Sequence, residues 1–386
     1  MTDPRRRVLV VGGGPSGSVT AFWLAKAGFE AVLAERSTKK PYGQGIDVTG
    51  PAIEVVKRMG LYDTIKAATT GEKGFAIVGD EGEDIAVLGV APEEGGTASI
   101  TQEIEIMRGD ITRIFAEAAR DIAGVKVRYG CTVESIQQRP DGVTVQLTGS
   151  DKPEEFSVVI GADGINSRVR RMTFDSAATK DCIFRTDTYV AFYSMPGDPD
   201  IDLPNAKIQQ GGKGRGIQTR PIDRKATRAS CYLSVTGDYP DMEAAAESGS
   251  SEQQKRVLEG LFKDFRGMGP RAIREMCECD DFYFARIMQV KLESWHTGRV
   301  GLAGDAAYAP SPLTGQGTTL AIIGGYLLAG ELAENPNDPS AAFAEYRRKF
   351  APYTEKSQVI PFGGKAPKLI LPVSLLMHLG LLREPH

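Results

Sequence analysis

The stretch that most constrains the fold runs from Arg5 to Arg36, RRRVLVVGGGPSGSVTAFWLAKAGFEAVLAER. Val8, Leu9, Val10 and Val11 form a short apolar run of the kind buried on both faces in a parallel sheet. Gly12-Gly13-Gly14-Pro15-Ser16-Gly17 follows at once and fits G-x-G-x-x-G. A helical pattern then spans about Ser16 to Ala27 and stops at Gly28, a residue suited to the left-handed position after a helix. Ala31 to Ala34 is a second apolar run, closed by the acidic Glu35.

Each part has its own physical reason. Gly12 permits the tight turn, Gly14 lets backbone approach a pyrophosphate, and Gly17 lets the helix lie close on the strand. The N–H groups at the helix start face the phosphates, where the helix dipole favours negative charge. Glu35 is placed to accept hydrogen bonds from ribose hydroxyls. A bare glycine motif is also compatible with an ordinary turn. Strand, helix and acid in register make it a dinucleotide site, with NAD and FAD both still open.

Composition narrows the class. At 386 residues, 41% hydrophobic and 25% charged, the chain can build a sizeable core as one large α/β unit or as two or three domains. A net charge of -4 provides no basic field for nucleic acid or an anionic membrane. Cys131, Cys182, Cys231, Cys277 and Cys279 are scattered and odd in number, which fits reduced thiols in an intracellular, cytoplasmic protein. With three histidines, one of which (His296) reads as structural, no metal site is expected. MTDPRRR leads straight into the first strand and leaves no room for a cleaved signal peptide. The apolar stretch from Leu369 to Leu382 is short for a membrane span and is broken by Pro372 and Gly380. A packed or lid-like C-terminal helix is the favoured reading there, with peripheral membrane contact the lesser alternative.

Along the chain, residues 1–73 read as a first part of a nucleotide-binding domain and 74–100 as short strands around a GlyAspGluGly turn. Residues 101–180 return to the nucleotide-binding pattern, including a helix from Asp110 to Arg120 with Asp110 as N-cap. Residues 181–286 are strand-rich and, with 74–100, read as an inserted β-rich substrate domain. Residues 287–350 complete the nucleotide-binding domain, and 351–386 form a helical tail.

Two later stretches decide the cofactor. Val158 to Arg170 reads VVIGADGINSRVR, and Arg299 to Pro310 reads RVGLAGDAAYAP, continuing to Pro312-Leu313-Thr314-Gly315-Gln316-Gly317. Each is a strand ending in glycine and aspartate ahead of a helix, where open α/β sheets bind ligands. With the N-terminal turn, they resemble the three fingerprints of class A flavin monooxygenases, the p-hydroxybenzoate-hydroxylase-like family, from Arg7 to about Phe350.

That resemblance implies an α/β fold: a Rossmann-like FAD-binding domain of the GR2 type with an inserted β-rich substrate domain and a C-terminal helix. It places Gly12, Gly14, Ser16, Gly17 and Glu35 at the ADP half of FAD, with Arg36 beside the adenosine. Arg108 would reach the ribityl–phosphate region, Asp163 would serve FAD and NAD(P)H, and Asp305 would bind the ribityl or pyrophosphate portion. Pro312, Gly315, Gln316 and Gly317 would lie along the isoalloxazine. GlnGlyIleAsp at Gln44–Asp47 is similar to a flavin-contacting loop of tetracycline-inactivating monooxygenases, so Asp47 is expected at FAD. One departure is Tyr308, where the family commonly has histidine.

The implied chemistry is reduction of FAD by NADPH or NADH, addition of O2 at the flavin C4a, and transfer of one oxygen to a bound small molecule. No protein nucleophile is then required, and no catalytic side chain is assigned. Tyr189, Phe192, Tyr193, Arg215 and Arg220 are candidate substrate contacts by location, and they suggest an apolar, polycyclic aromatic or polyketide-like substrate. A monomer or homodimer is expected. The rivals are a FAD reductase or dehydrogenase without oxygen transfer and a non-catalytic flavin-binding protein. The W-x-W-x-I-P stretch of flavin halogenases is absent, since the tryptophans are Trp23 and Trp295.

Overall fold

The computed structural model describes residues 6–39, 43–89, 104–175, 179 and 181–360. The expected loop over 91–97 and the apolar stretch from 369 to 382 lie outside them.

The first strand, Arg7–Val11, sits inside a six-stranded sheet, where Val8, Leu9 and Val10 are fully buried. It pairs in parallel with Glu30–Glu35 on one side and Val158–Gly161 on the other. Val125–Tyr129 extends the first flank, and Val300–Leu302 with the short His296–Thr297 extends the second. Sheet order therefore reverses at the first strand. The crevice beyond its C-terminal end, where Gly12 begins, is the place such sheets offer to a ligand. The helix Pro15–Lys26 covers one face and packs against the apolar helix Gly317–Glu334.

A second, seven-stranded sheet has the order Tyr283–Val290, Ile183–Pro196, Arg228–Thr236, Arg215–Pro221, Ala206–Gly211, Gly74–Val78 and Asp84–Gly89. Strands from 74–89 and from 183–290 thus share one sheet. Its last long strand continues to Val290, beyond the expected boundary at 286. Helices Pro240–Ser248, Ser251–Phe262 and Gly269–Glu278 back one face, burying Met242, Leu258, Phe262 and Met276 against Tyr193, Ile217, Leu233 and Val235.

Two further boundaries differ from expectation. The helix after the Met107 strand end begins at Arg108, so Asp110 lies in its first turn rather than at the cap, 3.5 Å from Arg113. Pro339–Ser357 is one helix, so the division at 350/351 falls inside an element. Phe343, Tyr346 and Phe350 are buried along that helix and draw it into the core.

Candidate functional site

The glycine turn closes on itself by contact. Gly12 has φ +109°, and a Cβ there would lie 2.3 Å from the Ala162 carbonyl oxygen. At Gly17 a Cβ would meet the Gly12 carbonyl oxygen at 1.9 Å, so only glycine lets the helix start this close to the strand. Gly14 is different: nothing lies within 4 Å of the Cβ position, which opens onto the crevice. Glu35 accepts hydrogen bonds from the Gly13 and Ser37 N–H groups, both at 2.6 Å. A carboxylate has about four acceptor sites, leaving capacity for ribose hydroxyls. Arg36 is exposed beside it.

Across the crevice, Gly304 and Asp305 open the short helix Asp305–Tyr308. Burial raises the Asp305 carboxyl above its ordinary range, and the charge of Arg108 opposes that rise. Arg108 donates its backbone N–H to the Gln44 carbonyl at 2.9 Å, and its side chain lies against Gly43. Ser16 packs under Gly304, its hydroxyl buried and without a partner. Asp163 is committed locally: it accepts from the Ser167 hydroxyl and from the N–H groups of Arg168 (2.6 Å) and Val169 (3.1 Å), so its carboxylate shapes its own loop.

Ser311 is held at φ 90°, a costly conformation for a residue with a Cβ, immediately before the Pro312–Thr314 turn. Gly315 (φ 67°) and Gly317 have no neighbour within 4 Å of their Cβ positions. Gln316 caps the helix Gly317–Glu334 without a side-chain hydrogen bond, leaving first-turn N–H groups to a ligand. The Thr49 N–H donates to the Thr319 hydroxyl in that first turn at 3.2 Å, which brings the Gly45–Asp47 strand alongside. Asp47 has a buried oxygen without a partner. Open space at Gly14, Gly315 and Gly317, with an orphaned hydroxyl on Ser16, makes a long cradle that fits a dinucleotide with a planar ring system at one end.

The histidine-to-tyrosine departure has a structural outcome. Tyr308 turns into the core, where its hydroxyl pairs with that of Tyr346 at 2.7 Å beneath Trp295 and Phe350. Burial drives the phenol pKa up.

The five substrate candidates divide between the two faces of the seven-stranded sheet. Tyr193 donates its hydroxyl to the Ala272 carbonyl at 2.6 Å, within the helix-backed core. Tyr189 stacks on Phe284 in the same layer. Arg215 pairs with Asp264 and lies over Phe265. These three candidate substrate contacts lie on the helix-backed side of the sheet. Phe192 and Arg220 point to the opposite face, with Phe192 against the ring of Tyr232 at 5.3 Å. Arg220 is bidentate to Glu72, both contacts 3.0 Å, and also touches Glu105.

Sequence reasoning missed Glu72, Glu105 and Tyr232. The detectable signal was Glu105, a charge inside the apolar run Ile104–Met107; Glu72 meets Arg220 only through the fold, 148 positions away.

A family model described as "FAD binding domain" matches residues 5–356. The chain is 55% identical to Monooxygenase CTB7 of Cercospora beticola over 97% of this chain and 90% of the relative. It is 35% identical to FAD-dependent monooxygenase asL4 of Sarocladium schorii, over 92% and 86% of the two chains. The crystal structure of tetracycline destructase Tet(55) superposes with a TM-score of 0.79 at 31% identity, covering 94% of this chain and 89% of that one. The chain belongs to the FAD-binding-domain family of flavin-dependent monooxygenases, and it is an FAD-dependent enzyme of that class.

Proposed function

We propose that the protein uses NADPH or NADH and O2 to insert one oxygen atom into an apolar, polycyclic aromatic or polyketide-like small molecule, tetracycline-type compounds among them. The observation that carries the reading is the open cradle from Gly14 past Asp305 to Gly315 and Gly317. FAD, when bound, supplies the redox and oxygen-activating chemistry. The chain's residues bind, orient and exclude water. Glu35 and the amides following Gly14 would hold the ADP half. Arg108 and Asp305 would flank the ribityl and phosphate groups, and the N–H groups at Gly317 would face the ring where negative charge collects. Substrate would enter on the Phe192 face of the seven-stranded sheet, opposite the helix-backed core. The similarity to tetracycline destructase supports a polycyclic substrate class. Cytoplasmic action as a monomer or homodimer completes the proposal; among the described residues no helix is long and apolar enough to cross a membrane.

The test is a panel of phenolic and polyketide compounds, tetracyclines included, scored by stimulated NADPH consumption and by product mass. Gain of one oxygen in a product supports the proposal. NADPH consumption with unchanged compounds across the panel favours a reductase or dehydrogenase.

A further inference from the structure

Three carboxyl groups surround one guanidinium where the two-stranded sheet of Gly45–Asp47 and Glu105–Met107 meets the seven-stranded sheet. Glu72, Glu105 and Arg220 are nearly sealed from solvent, at 0%, 4% and 11% side-chain exposure. Arg220 spends its Nε and Nη2 donors on Glu72. Glu105 Oε2 touches the same Nη2, yet no donor is directed along a hydrogen bond to either Glu105 oxygen. Asp47 faces the group and also keeps a buried oxygen without a partner. With every carboxyl ionised, the cluster would carry an excess of two negative charges in a dry site, an arrangement that proteins avoid by retaining a proton. Among the described residues no group of three or more His, Cys, Asp or Glu side chains is placed to hold a metal ion.

The cluster also touches the backbone that runs beside the cofactor cradle. Gly45 donates its N–H to the Tyr232 hydroxyl at 2.9 Å. A Cβ at Gly45 would lie 3.0 Å from Glu105 Oε1 and 3.8 Å from both Arg220 Nη1 and the Tyr232 hydroxyl. The Gly45–Asp47 strand pairs with Glu105–Met107, whose end leads into Arg108, and Thr49 beyond it reaches Thr319.

We propose that Glu105 is held as a neutral carboxylic acid and that the Glu72–Arg220–Glu105 cluster, with Tyr232, is a positioning device that clamps the Gly45–Asp47 strand against FAD. The inference rests on FAD occupying the cradle. Glu105 in its neutral form keeps its proton and directs its O–H toward Glu72 as a hydrogen bond, and Arg220 neutralises Glu72. Loss of that proton adds a buried negative charge directly under Gly45, and the strand moves away from it.

The groups facing Glu105 are Glu72 from the 70–73 segment, Asp47 from the Gly45–Asp47 strand, Arg220 from Arg215–Pro221 and Tyr232 from Arg228–Thr236. Burial raises the Glu105 carboxyl well above its ordinary range; Arg220 opposes this, and Glu72 and Asp47 reinforce it. A carboxyl raised on folding contributes stability that is complete below its unfolded pKa and is lost as pH rises through the folded value. On the proposed clamp FAD binds the strand that the neutral acid holds in place, so the bound state keeps the proton more tightly than the free protein, and FAD binding should weaken toward alkaline pH.

The experiment is FAD titration of the full chain, followed by flavin fluorescence, between about pH 6 and about pH 9, the upper range documented for buried glutamic acids. The native protein is expected to lose about tenfold in affinity per pH unit once the acid titrates. Glu105→Gln, which keeps the neutral shape and cannot lose a proton, is expected to bind FAD at the native low-pH affinity throughout. Tyr232→Phe, which removes the acceptor for Gly45, is expected to bind several-fold more weakly at every pH while the circular dichroism of the apo-protein is unchanged. A pH-independent native affinity, a Glu105→Gln titration parallel to the native one, or native affinity in Tyr232→Phe would each overturn the clamp. If Glu105→Gln does not fold, the native titration and Tyr232→Phe decide. A native chain that binds no FAD at any pH defeats the cofactor reading itself, a result distinct from these.

Discussion

A methyl group added at Gly17 meets the Gly12 carbonyl oxygen at 1.9 Å, whereas one added at Gly14 meets nothing within 4 Å. The two glycines occupy one motif for different reasons, and single substitutions separate them. Gly17→Ala overpacks a strand–helix junction and should lower stability by about 1–3 kcal/mol, read by denaturant unfolding of the apo-protein. Gly14→Ala should leave apo stability unchanged, because Gly14 already has φ -68° and open space. Its FAD affinity should fall about tenfold, equivalent to ~1.4 kcal/mol of lost phosphate contact. Tyr308 offers the converse case. Tyr308→Phe strands the buried Tyr346 hydroxyl and should cost about 1–3 kcal/mol. FAD affinity and turnover should stay native, since the phenol faces the core rather than the cradle. Loss of turnover with native stability would restore a proton-transfer role to this position.

Strand register governs what was legible at the level of elements. Val8–Val11 was readable because a strand covered on both faces is continuously apolar. The Ile183–Pro196 strand was not, because it carries aromatics on both faces and slips register between Arg185 and Tyr189. Alternation puts Tyr189 and Tyr193 on one face and Phe192 on the other, but local sequence could not say which face is covered. The assignment came from the helices beyond 240, which chose the face they cover. With a responsive substrate in hand, Phe192→Ala should raise KM several-fold, while Arg215→Met should reduce thermal stability and leave KM unchanged. Effects in the reverse order would place the substrate on the helix-backed side.

The small sheet of Val133–Arg139, Gly142–Leu147 and Glu154–Phe156 is tied to the first strand by Glu154. That carboxylate accepts from Arg128 and Arg7, and the pair hold its pKa down at about 2. A carboxyl lowered on folding contributes stability above its unfolded pKa and loses it as pH falls through the folded value. Native stability should thus decline from about pH 4.5 toward about pH 2. Glu154→Gln should be less stable at neutral pH and flatter across that interval in acid-unfolding curves. An unchanged acid limb would remove Glu154 from the account.

Across the whole molecule, the cofactor cradle draws on residues near 14, 47, 108, 305 and 317, so its glycine and aspartate turns were legible as separate motifs. Each turn has a local backbone requirement that restricts composition. The buried Glu72–Arg220–Glu105 cluster had no such signature, since a charge in an apolar strand finds its partner only when two sheets meet. The same division explains the boundaries: helix Pro339–Ser357 ran through an expected division because its apolar residues answer to distant core partners such as Trp295 and Tyr308.

The most direct measurement is stoichiometric titration of the apo-protein with FAD, following flavin fluorescence and the visible absorption band. The account predicts saturation at one FAD per chain in the native protein, with the affinity reduced in Gly14→Ala at unchanged fold. A folded native protein that leaves the fluorescence of FAD unaltered would contradict it.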